Sequence, residues 1–357
     1  MDTSLRAAIW IIATGVVVVG LYWFRDVLTQ FALALILWLA IDSLTRFLDE
    51  KIPAMPRWLA LPIALVLVLA LVTVVISVIA FNAAQFGESA GGYEARLNAL
   101  IAEGHRMLGL SGPPATVGTL LAETDPRQLV SQIGAALQGV ASDTVFILIY
   151  LGFLFSAAAV FPEKLDRIFR DKRKREGARR VFTSIRLSMQ RYLWVQTIVS
   201  LIITAFTYAT LTVIGLDNAL FWAFVIFFLN YIPTIGSIIA VVLPTAFALV
   251  QFPTLAPVLA VAGGVGFWQF VIGNFVQPRM TGETLNLSAV VVLLALAVWG
   301  FIWGITGAFL AAPLTVMIMI VLAQFRATRW IAILLSADGK PTLAPAQESD
   351  AETAPKE

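Results

Sequence analysis

Cysteine is absent from the 357 residues, and histidine occurs once, as His105. A thiolate nucleophile, a disulfide and a zinc site built from Cys or His ligands are therefore excluded. Charged residues make up only 13% of the chain, about half the usual share in soluble domains, whereas apolar residues make up 59%. This composition excludes a soluble multidomain enzyme and predicts an integral membrane protein with about six to nine spanning elements. We expect no metal and no cofactor.

Positive charge is concentrated in one stretch, Pro162–Arg191, which holds eleven Lys or Arg in 30 residues. The net charge of the whole chain is only +2, so the stretch does not indicate a nucleic-acid partner. A cytoplasmic segment beside anionic membrane lipid is the commoner meaning of such a run. The segment Gln85–Asp143 contains only Arg96, Arg106 and Arg127 and falls on the outer side by the same rule. Both termini are then predicted to be cytoplasmic.

Uninterrupted apolar runs predict the spanning helices Ala7–Phe24, Val27–Ile41, Leu59–Ala84, Thr144–Phe161, Leu193–Ile214 and Thr254–Val276. The expected organisation is three N-terminal transmembrane helices in 1–84, an extracytoplasmic amphipathic helical segment in 85–143, a fourth transmembrane helix in 144–161, a basic cytoplasmic loop in 162–191, a C-terminal transport core in 192–325 and a cytoplasmic tail in 326–357, disordered towards its end. The amphipathic helices of the outer segment could lie on the membrane surface or against a neighbouring subunit, and packing is the expected arrangement.

Two apolar blocks, Ala219–Val250 and Ala289–Ala323, are long for one crossing and contain helix breakers near their midpoints. An inner C-terminus requires both blocks to be hairpins or both to be single kinked crossings, and the proline and glycine positions favour hairpins. The fold class is therefore an all-α polytopic membrane protein with about eight membrane elements, including two Pro/Gly-broken helical hairpins. Discontinuous helices of this kind indicate a transporter site at the bilayer midplane, and ordinary glycine packing between helices is the alternative.

The assigned spans contain no Asp, Glu, Lys, Arg or His, so neither a proton relay nor an intramembrane enzyme is expected. Charges near the span ends, at Asp42, Asp217, Arg279 and Glu283, are interpreted as helix-end charges. Neutral polar residues lie close to the breaks instead: Asn230, Tyr231, Thr234, Ser237, Gln269, Asn274, Thr306 and Thr315. They suit an uncharged polar or amphiphilic solute, or an ion held by exposed carbonyls, and hydrogen bonding between helices is the alternative role.

Three motifs carry a family resemblance: Phe228–Gly236 followed by Pro244, Gly273–Gly282, and Val298–Gly307 continuing to Pro313. In this order and spacing the chain resembles the bacterial autoinducer-2 exporter family of permeases. The resemblance implies a turn over Asn274–Gly282. Taken with the polar residues above, the resemblance gives the candidate substrate-binding residues: Asn230, Tyr231, Pro233, Thr234, Gly236, Gln269, Asn274, Pro278, Arg279, Gly282, Gly300, Gly304, Gly307 and Pro313.

The resemblance implies a multi-pass protein of the bacterial inner membrane that exports a small signal such as autoinducer-2, by alternating access in our interpretation. It also implies a homo-oligomer, with a pentamer as one candidate. Relatives are credited with sodium/proton antiport or with envelope roles, so antiport and a non-transporting scaffold remain alternatives. Where the family often has an acidic residue before its asparagine, this chain has Gly273 before Asn274, and Leu287-Ser288 replaces a His-Pro pair. Both departures weaken the case for cation coupling.

The topology can be tested by single cysteines placed in this cysteine-free chain at Ser111 and at Gly177. Because the Lys/Arg asymmetry puts position 111 outside and position 177 inside, an impermeant thiol reagent added to intact cells should label only the cysteine at 111. Labelling at 177 but not at 111 would reverse the predicted orientation.

Overall fold

The computed structural model describes residues 3–51, 60–88, 90–107, 126–281 and 286–341, with positions 109, 112, 116, 118 and 119. These residues are almost entirely helical, and the single bridge between Leu287 and Ser336 is the only β pairing among them. The helices are α1 (Thr3–Trp23), α2 (Arg25–Lys51), α3 (Ala60–Glu88), α4 (Ala90–Met107), α5 (Pro126–Ile168), α6 (Lys172–Ile214), α7 (Ala219–Leu229), α8 (Ile235–Gln251), α9 (Leu255–Val271), a π-helical turn (Ile272–Val276), α10 (Gln277–Thr281), α11 (Ala289–Gln324) and α12 (Arg329–Leu335).

Within this part of the chain, five helical segments are long and apolar enough to cross a membrane: Arg25–Thr45, Ser142–Ile168, Lys172–Ile214, Leu255–Met280 and Ala289–Gln324. Shorter apolar helices cover Ile12–Trp23, Leu69–Val78, Ala219–Leu229 and Ile235–Gln251. The all-α fold of a multi-pass membrane protein is therefore confirmed, while the number of eight membrane elements stays a prediction.

Two expected boundaries between elements are helical in the structure. The amphipathic helix after Asp125 and the fourth span form one 43-residue helix, α5, because no glycine or proline separates Val140 from Thr144. The basic segment 162–191, expected to be a loop, is helical except at residues 169–171. Its lysines and arginines are good helix formers, and they extend α6 beyond the apolar span. The expected disordered end of the tail, 342–357, lies outside the described residues.

The chain divides into two compact units. The first, unit 1, comprises Met1–Arg57, Ile147–Gln196 and Met280–Glu357; the second, unit 2, comprises Trp58–Phe146 and Thr197–Arg279. Each unit contains one of the two broken apolar blocks.

The broken block of unit 2 is a helical hairpin, hairpin 1, made of α7 and α8. The Gln251 side chain at the end of α8 donates to the carbonyl of Gly215 at 2.9 Å and accepts from the backbone N–H of Asp217 at 2.8 Å, just before α7 begins. Trp222 and Phe247 lie in ring contact, with centroids 5.3 Å apart. The two helices therefore run antiparallel, and the hairpin prediction is confirmed for this block.

The broken block of unit 1 is also a hairpin, hairpin 2, although α11 is nearly continuous in its hydrogen bonding. Gly304 leaves the helical conformation at φ 63° and ψ −144°, a backbone geometry open essentially to glycine. Trp299 donates from Nε1 to Thr315 Oγ1 at 3.2 Å. Sixteen residues of straight helix would separate these residues by about 24 Å, so the chain reverses at Gly304.

The ends of hairpin 2 are tied together beyond its two arms. Ser288 donates from its backbone N–H to the carbonyl of Leu335 at 3.1 Å. The Asn286 side chain donates from Nδ2 to Asp338 Oδ1 at 2.7 Å. This bond, helped by the backbone N–H of Lys340, holds the pKa of the Asp338 carboxyl below its ordinary value. The charged group among these contacts, the Asp338 carboxylate, therefore lies outside the apolar helices.

Within unit 2, α4 of the segment 85–143 packs against hairpin 1 and the residues that follow it. The Tyr93 hydroxyl donates to Asp217 Oδ2 at 2.9 Å, and the Tyr93 ring contacts Phe247 at 5.4 Å. Arg96 donates from Nη2 to the carbonyl of Pro253 at 3.2 Å. This helix therefore packs against its own chain, and contact with a neighbouring subunit stays a prediction.

The hairpin turns depend on two glycines. A Cβ at Gly307 would collide with the backbone carbonyl of Trp299, whereas a Cβ at Gly300 would meet only Ala308 at 3.9 Å. In hairpin 1, a Cβ at Gly236 would collide with the carbonyl of Leu229. The close approach of helix and turn is therefore possible only without a side chain.

We expect Gly307→Ala to lower the free energy of unfolding by about 1–3 kcal/mol, because the backbone must shift to admit the methyl group. The matched variant Gly300→Ala should raise it by about 0.5–1 kcal/mol, since it only replaces a helical glycine. Thermal unfolding of the purified variants in one detergent measures the difference. Equal stability of the two variants would contradict the hairpin geometry.

Candidate functional site

The candidate site begins at the break between α7 and α8. Pro233 has no N–H to continue a helix, and Ile235 donates to the carbonyl of Pro233 at 2.6 Å across Thr234. Thr234 is held at φ 62° and ψ −59°, a γ-turn conformation that is rare and strained for a β-branched residue. The tip of hairpin 1 is thus a tight turn whose conformation the surrounding packing must hold.

The two polar residues at this break bond to two neighbouring helices. Asn230 accepts through Oδ1 from Gln269 Nε2 of α9 at 3.0 Å. The Tyr231 hydroxyl shares a hydrogen bond of 2.7 Å with the Thr197 hydroxyl of α6. Three of the predicted residues, Asn230, Tyr231 and Gln269, are therefore brought together, and each group involved is neutral.

A polar face of α6 extends this cluster. Thr197, Ser200, Thr204 and Thr207 follow one another at three- or four-residue spacing, which places them on one side of the helix. Ser200 and Thr207 are fully buried. The Thr204 and Thr207 hydroxyls have no hydrogen-bond partner among the described residues, which is unusual because a buried threonine ordinarily pairs its hydroxyl.

Helix α9 lies against the same half of α6. The rings of Phe206 and Trp268 are stacked with centroids 4.0 Å apart. Trp268 donates from Nε1 to Thr210 Oγ1 at 3.1 Å, and Gln269 follows directly in the sequence. The candidate site therefore lies among α6, α9 and the tip of hairpin 1, all within unit 2.

Sequence reasoning missed the threonines of α6. They lie in an apolar run without a glycine or proline, where threonine commonly bonds to its own helix backbone. The signal that could have found them is their spacing, because four hydroxyl residues fall on one helical face between Thr197 and Thr207.

The segment from Asn274 to Gly282, expected to be a turn, is helical as far as it is described. Ile272–Val276 forms a π-helical turn and Gln277–Thr281 an α-helix. Pro278 has no N–H to donate to the carbonyl of Asn274, and a π turn accommodates this loss without ending the helix. Asn274 is exposed, and its Nδ2 donates to the carbonyl of Phe270 at 2.8 Å, within its own helix. Gly282 lies outside the described residues.

The predicted residues of unit 1 shape hairpin 2. Gly304 makes the reversal and Gly307 the close approach, while Pro313 is buried in the second arm. Gly300 has only an ordinary contact at its Cα. A role for these four residues in binding a solute stays a prediction.

Three of the four charges near the span ends can be placed. Asp42 forms a bidentate ion pair with Arg186 and also accepts from Gln190, with its side chain only 18% exposed. Asp217 is exposed at the start of hairpin 1, and Arg279 is exposed on α10. Glu283 lies outside the described residues. Asp42 is thus a paired charge, as expected of a structural role, but it lies within α2, which continues to Lys51, and not at a helix end.

Comparison with known proteins places this architecture in a family. The family model described as AI-2E family transporter matches residues 11–327. An Escherichia coli (strain K12) protein named AI-2 transport protein TqsA is 26% identical over 336 residues, which cover 93% of this chain and 96% of that protein.

Two further relatives are provisionally named as transport proteins. The Haemophilus influenzae protein is 26% identical over 339 residues, covering 92% of this chain and 96% of its own length. The Borreliella burgdorferi protein is 35% identical over 186 residues, about half of each chain at 51%. With a family match over most of its length, the chain belongs to the AI-2E transporter family.

Proposed function

We propose that this protein exports a small, uncharged or weakly charged polar metabolite across the bacterial inner membrane, with an autoinducer-2-like signal as the leading candidate. The observation that carries the proposal is the neutral polar cluster of unit 2, where hydroxyl and amide groups are buried at a helix break. Autoinducer-2 is the first candidate because a related protein is named AI-2 transport protein TqsA.

The chemistry of the cluster favours a hydroxyl-bearing neutral solute. Gln269 and Asn230 offer amide donors and acceptors, and the Tyr231 and Thr197 hydroxyls can donate or accept. The unpartnered hydroxyls of Thr204 and Thr207 would gain their missing hydrogen bonds from such a solute. Backbone groups released at Pro233 would add further partners.

Alternating access is proposed from the two hairpins. The first arm of hairpin 1 has 11 residues, about 16 Å of helix, which is too short to cross a hydrocarbon core of about 30 Å. By chain order, hairpin 1 would open to the outer side and hairpin 2 to the cytoplasm, as inverted broken helices do in several transporter folds. The strained tip at Thr234 suits an element that changes conformation during the cycle.

A homo-oligomer, with a pentamer as one candidate, stays part of the proposal because of the family resemblance. Light scattering of the protein in detergent measures its mass directly. A monomer at all protein concentrations would remove this part without touching the transport claim.

The transport claim is tested by Thr207→Val in proteoliposomes, with flux of radiolabelled autoinducer-2, a furanone, driven by its own gradient. Loss of one hydrogen bond to the solute should raise the half-saturating concentration about threefold to tenfold. Thermal stability should stay equal or rise, because the substitution removes an unsatisfied buried hydroxyl. The matched variant is Thr212→Val, at an exposed position of the same helix, and it should transport like the wild type.

An unchanged half-saturating concentration in Thr207→Val would overturn the assignment of this face to the solute. The rival activity, sodium/proton antiport, is measured in the same vesicles by an internal pH dye. Because the described polar cluster holds no titratable carboxylate or imidazole, furanone flux should not require a pH gradient. A sodium-driven pH change without furanone flux would favour antiport instead.

A further inference from the structure

A second candidate site lies in unit 1, whereas the polar cluster belongs to unit 2. An open pocket of about 300 Å³, at the lower end of the roughly 300–1,000 Å³ of small-molecule sites, lies between three helices. Its lining is almost wholly apolar. Phe161 and Leu165 come from α5, Phe182 and Ile185 from α6, and Val321 from α11. The rings of Phe161 and Phe182 are 4.5 Å apart and join α5 to α6.

One polar atom in this lining is an unsatisfied hydrogen-bond donor in the described structure. Gln324 of α11 is a lining residue, and its Nε2 is buried without a hydrogen-bond partner among the residues that the structure describes. A buried amide N–H without a partner costs about 1–3 kcal/mol. A ligand that fills this apolar space therefore gains affinity if it brings an acceptor to Gln324.

The charge around the pocket is positive. Between Pro162 and Phe182 the chain has nine Lys or Arg against four carboxylates, which are Glu163, Asp166, Asp171 and Glu176. Asp166 is shared by two guanidinium groups, from Arg179 at 2.7 Å and Arg175 at 3.6 Å. One carboxylate cannot neutralise two arginines, so the cluster keeps a positive charge for an external anion.

The three helices arrange these groups in the same order along their axes. On α5, Leu165 precedes Arg167, and on α11, Val321 precedes Gln324, with Arg326 just beyond the end of that helix. On α6 the order along the chain is reversed, because the cationic residue comes first: Arg175 lies about 15 Å before Ile185. Apolar lining, a single amide and a cationic rim thus follow one another along the helices.

We infer that this pocket binds one anionic phospholipid from the cytoplasmic leaflet. An acyl chain fills the space lined by Phe182, Ile185 and Val321. An ester carbonyl, which lies at the boundary of the hydrocarbon, accepts from Gln324 Nε2, and the phosphate pairs with Arg175 and Arg179. The inference does not depend on what the protein transports.

The test uses full-length protein, stripped of lipid in detergent and then exposed to micelles containing phosphatidylglycerol or phosphatidylcholine. Native mass spectrometry counts the lipid retained. The wild type should retain one phosphatidylglycerol in preference to phosphatidylcholine, and Ala178→Trp, which fills the pocket, should lose it. The matched control Ala209→Trp, at an exposed position of α6, should retain it.

Two milder variants keep the test valid if the tryptophan disturbs folding. Gln324→Leu preserves side-chain volume and should retain at least threefold less phosphatidylglycerol without loss of thermal stability. Arg175→Gln combined with Arg179→Gln should abolish the preference for phosphatidylglycerol over phosphatidylcholine.

Several results would overturn the inference. These are equal retention by Ala178→Trp and Ala209→Trp, unchanged retention by Gln324→Leu, or no headgroup preference in the wild type. A change of oligomer mass in Ala178→Trp with lipid retention intact would mean that a second copy of the chain covers the pocket, which also contradicts the lipid assignment.

Discussion

The architecture depends on one constraint, the need of every backbone N–H and C=O in hydrocarbon for a hydrogen-bond partner. Helices meet this need by themselves, so a break is tolerated only where other parts of the protein come close. At both breaks the close approach is made by a glycine against a carbonyl, Gly236 at Leu229 and Gly307 at Trp299. Removing the space that these glycines leave would separate the arms of each hairpin and expose their turns to lipid.

The same constraint explains how polarity is distributed. At the tip of hairpin 1 the partners are neutral, because an unpaired charge at membrane depth is far more costly than an amide or a hydroxyl. The charges of the helices are paired, as in the pair of Asp42 with Arg186 and the contact of Asp166 with Arg179. Solute chemistry and lipid chemistry can therefore be assigned to separate places in one chain.

The two hairpins could be predicted from the sequence because glycine and proline break a helix at the position where they occur. Both hairpins were expected from their midpoints, and the contact of Asn230 with Gln269 joins two residues that stood out as polar within apolar runs. The continuity of α5 was not expected, because the amphipathic and apolar parts were treated as separate helices. A helix propagates through such a junction when no glycine or proline interrupts it. The π turn at Asn274 was missed since a proline usually ends a helix and here is absorbed by one wider turn.

The threonines of α6 show a different limit. Whether Thr207 bonds to its own helix or keeps a free hydroxyl is set by its rotamer and its neighbours, which composition does not reveal. Their importance depends on packing between α6, α9 and hairpin 1, three elements separated in sequence.

The central claim is that this cluster binds a neutral solute without moving protons. Titration calorimetry of the purified protein with the furanone, in borate-free buffers of different ionisation enthalpy at pH 6 and pH 8, measures it most directly. The account predicts saturable binding with one Kd at both pH values and a heat that does not depend on the buffer. A Kd that changes tenfold or more between the two pH values, or a heat that follows the buffer, would contradict it.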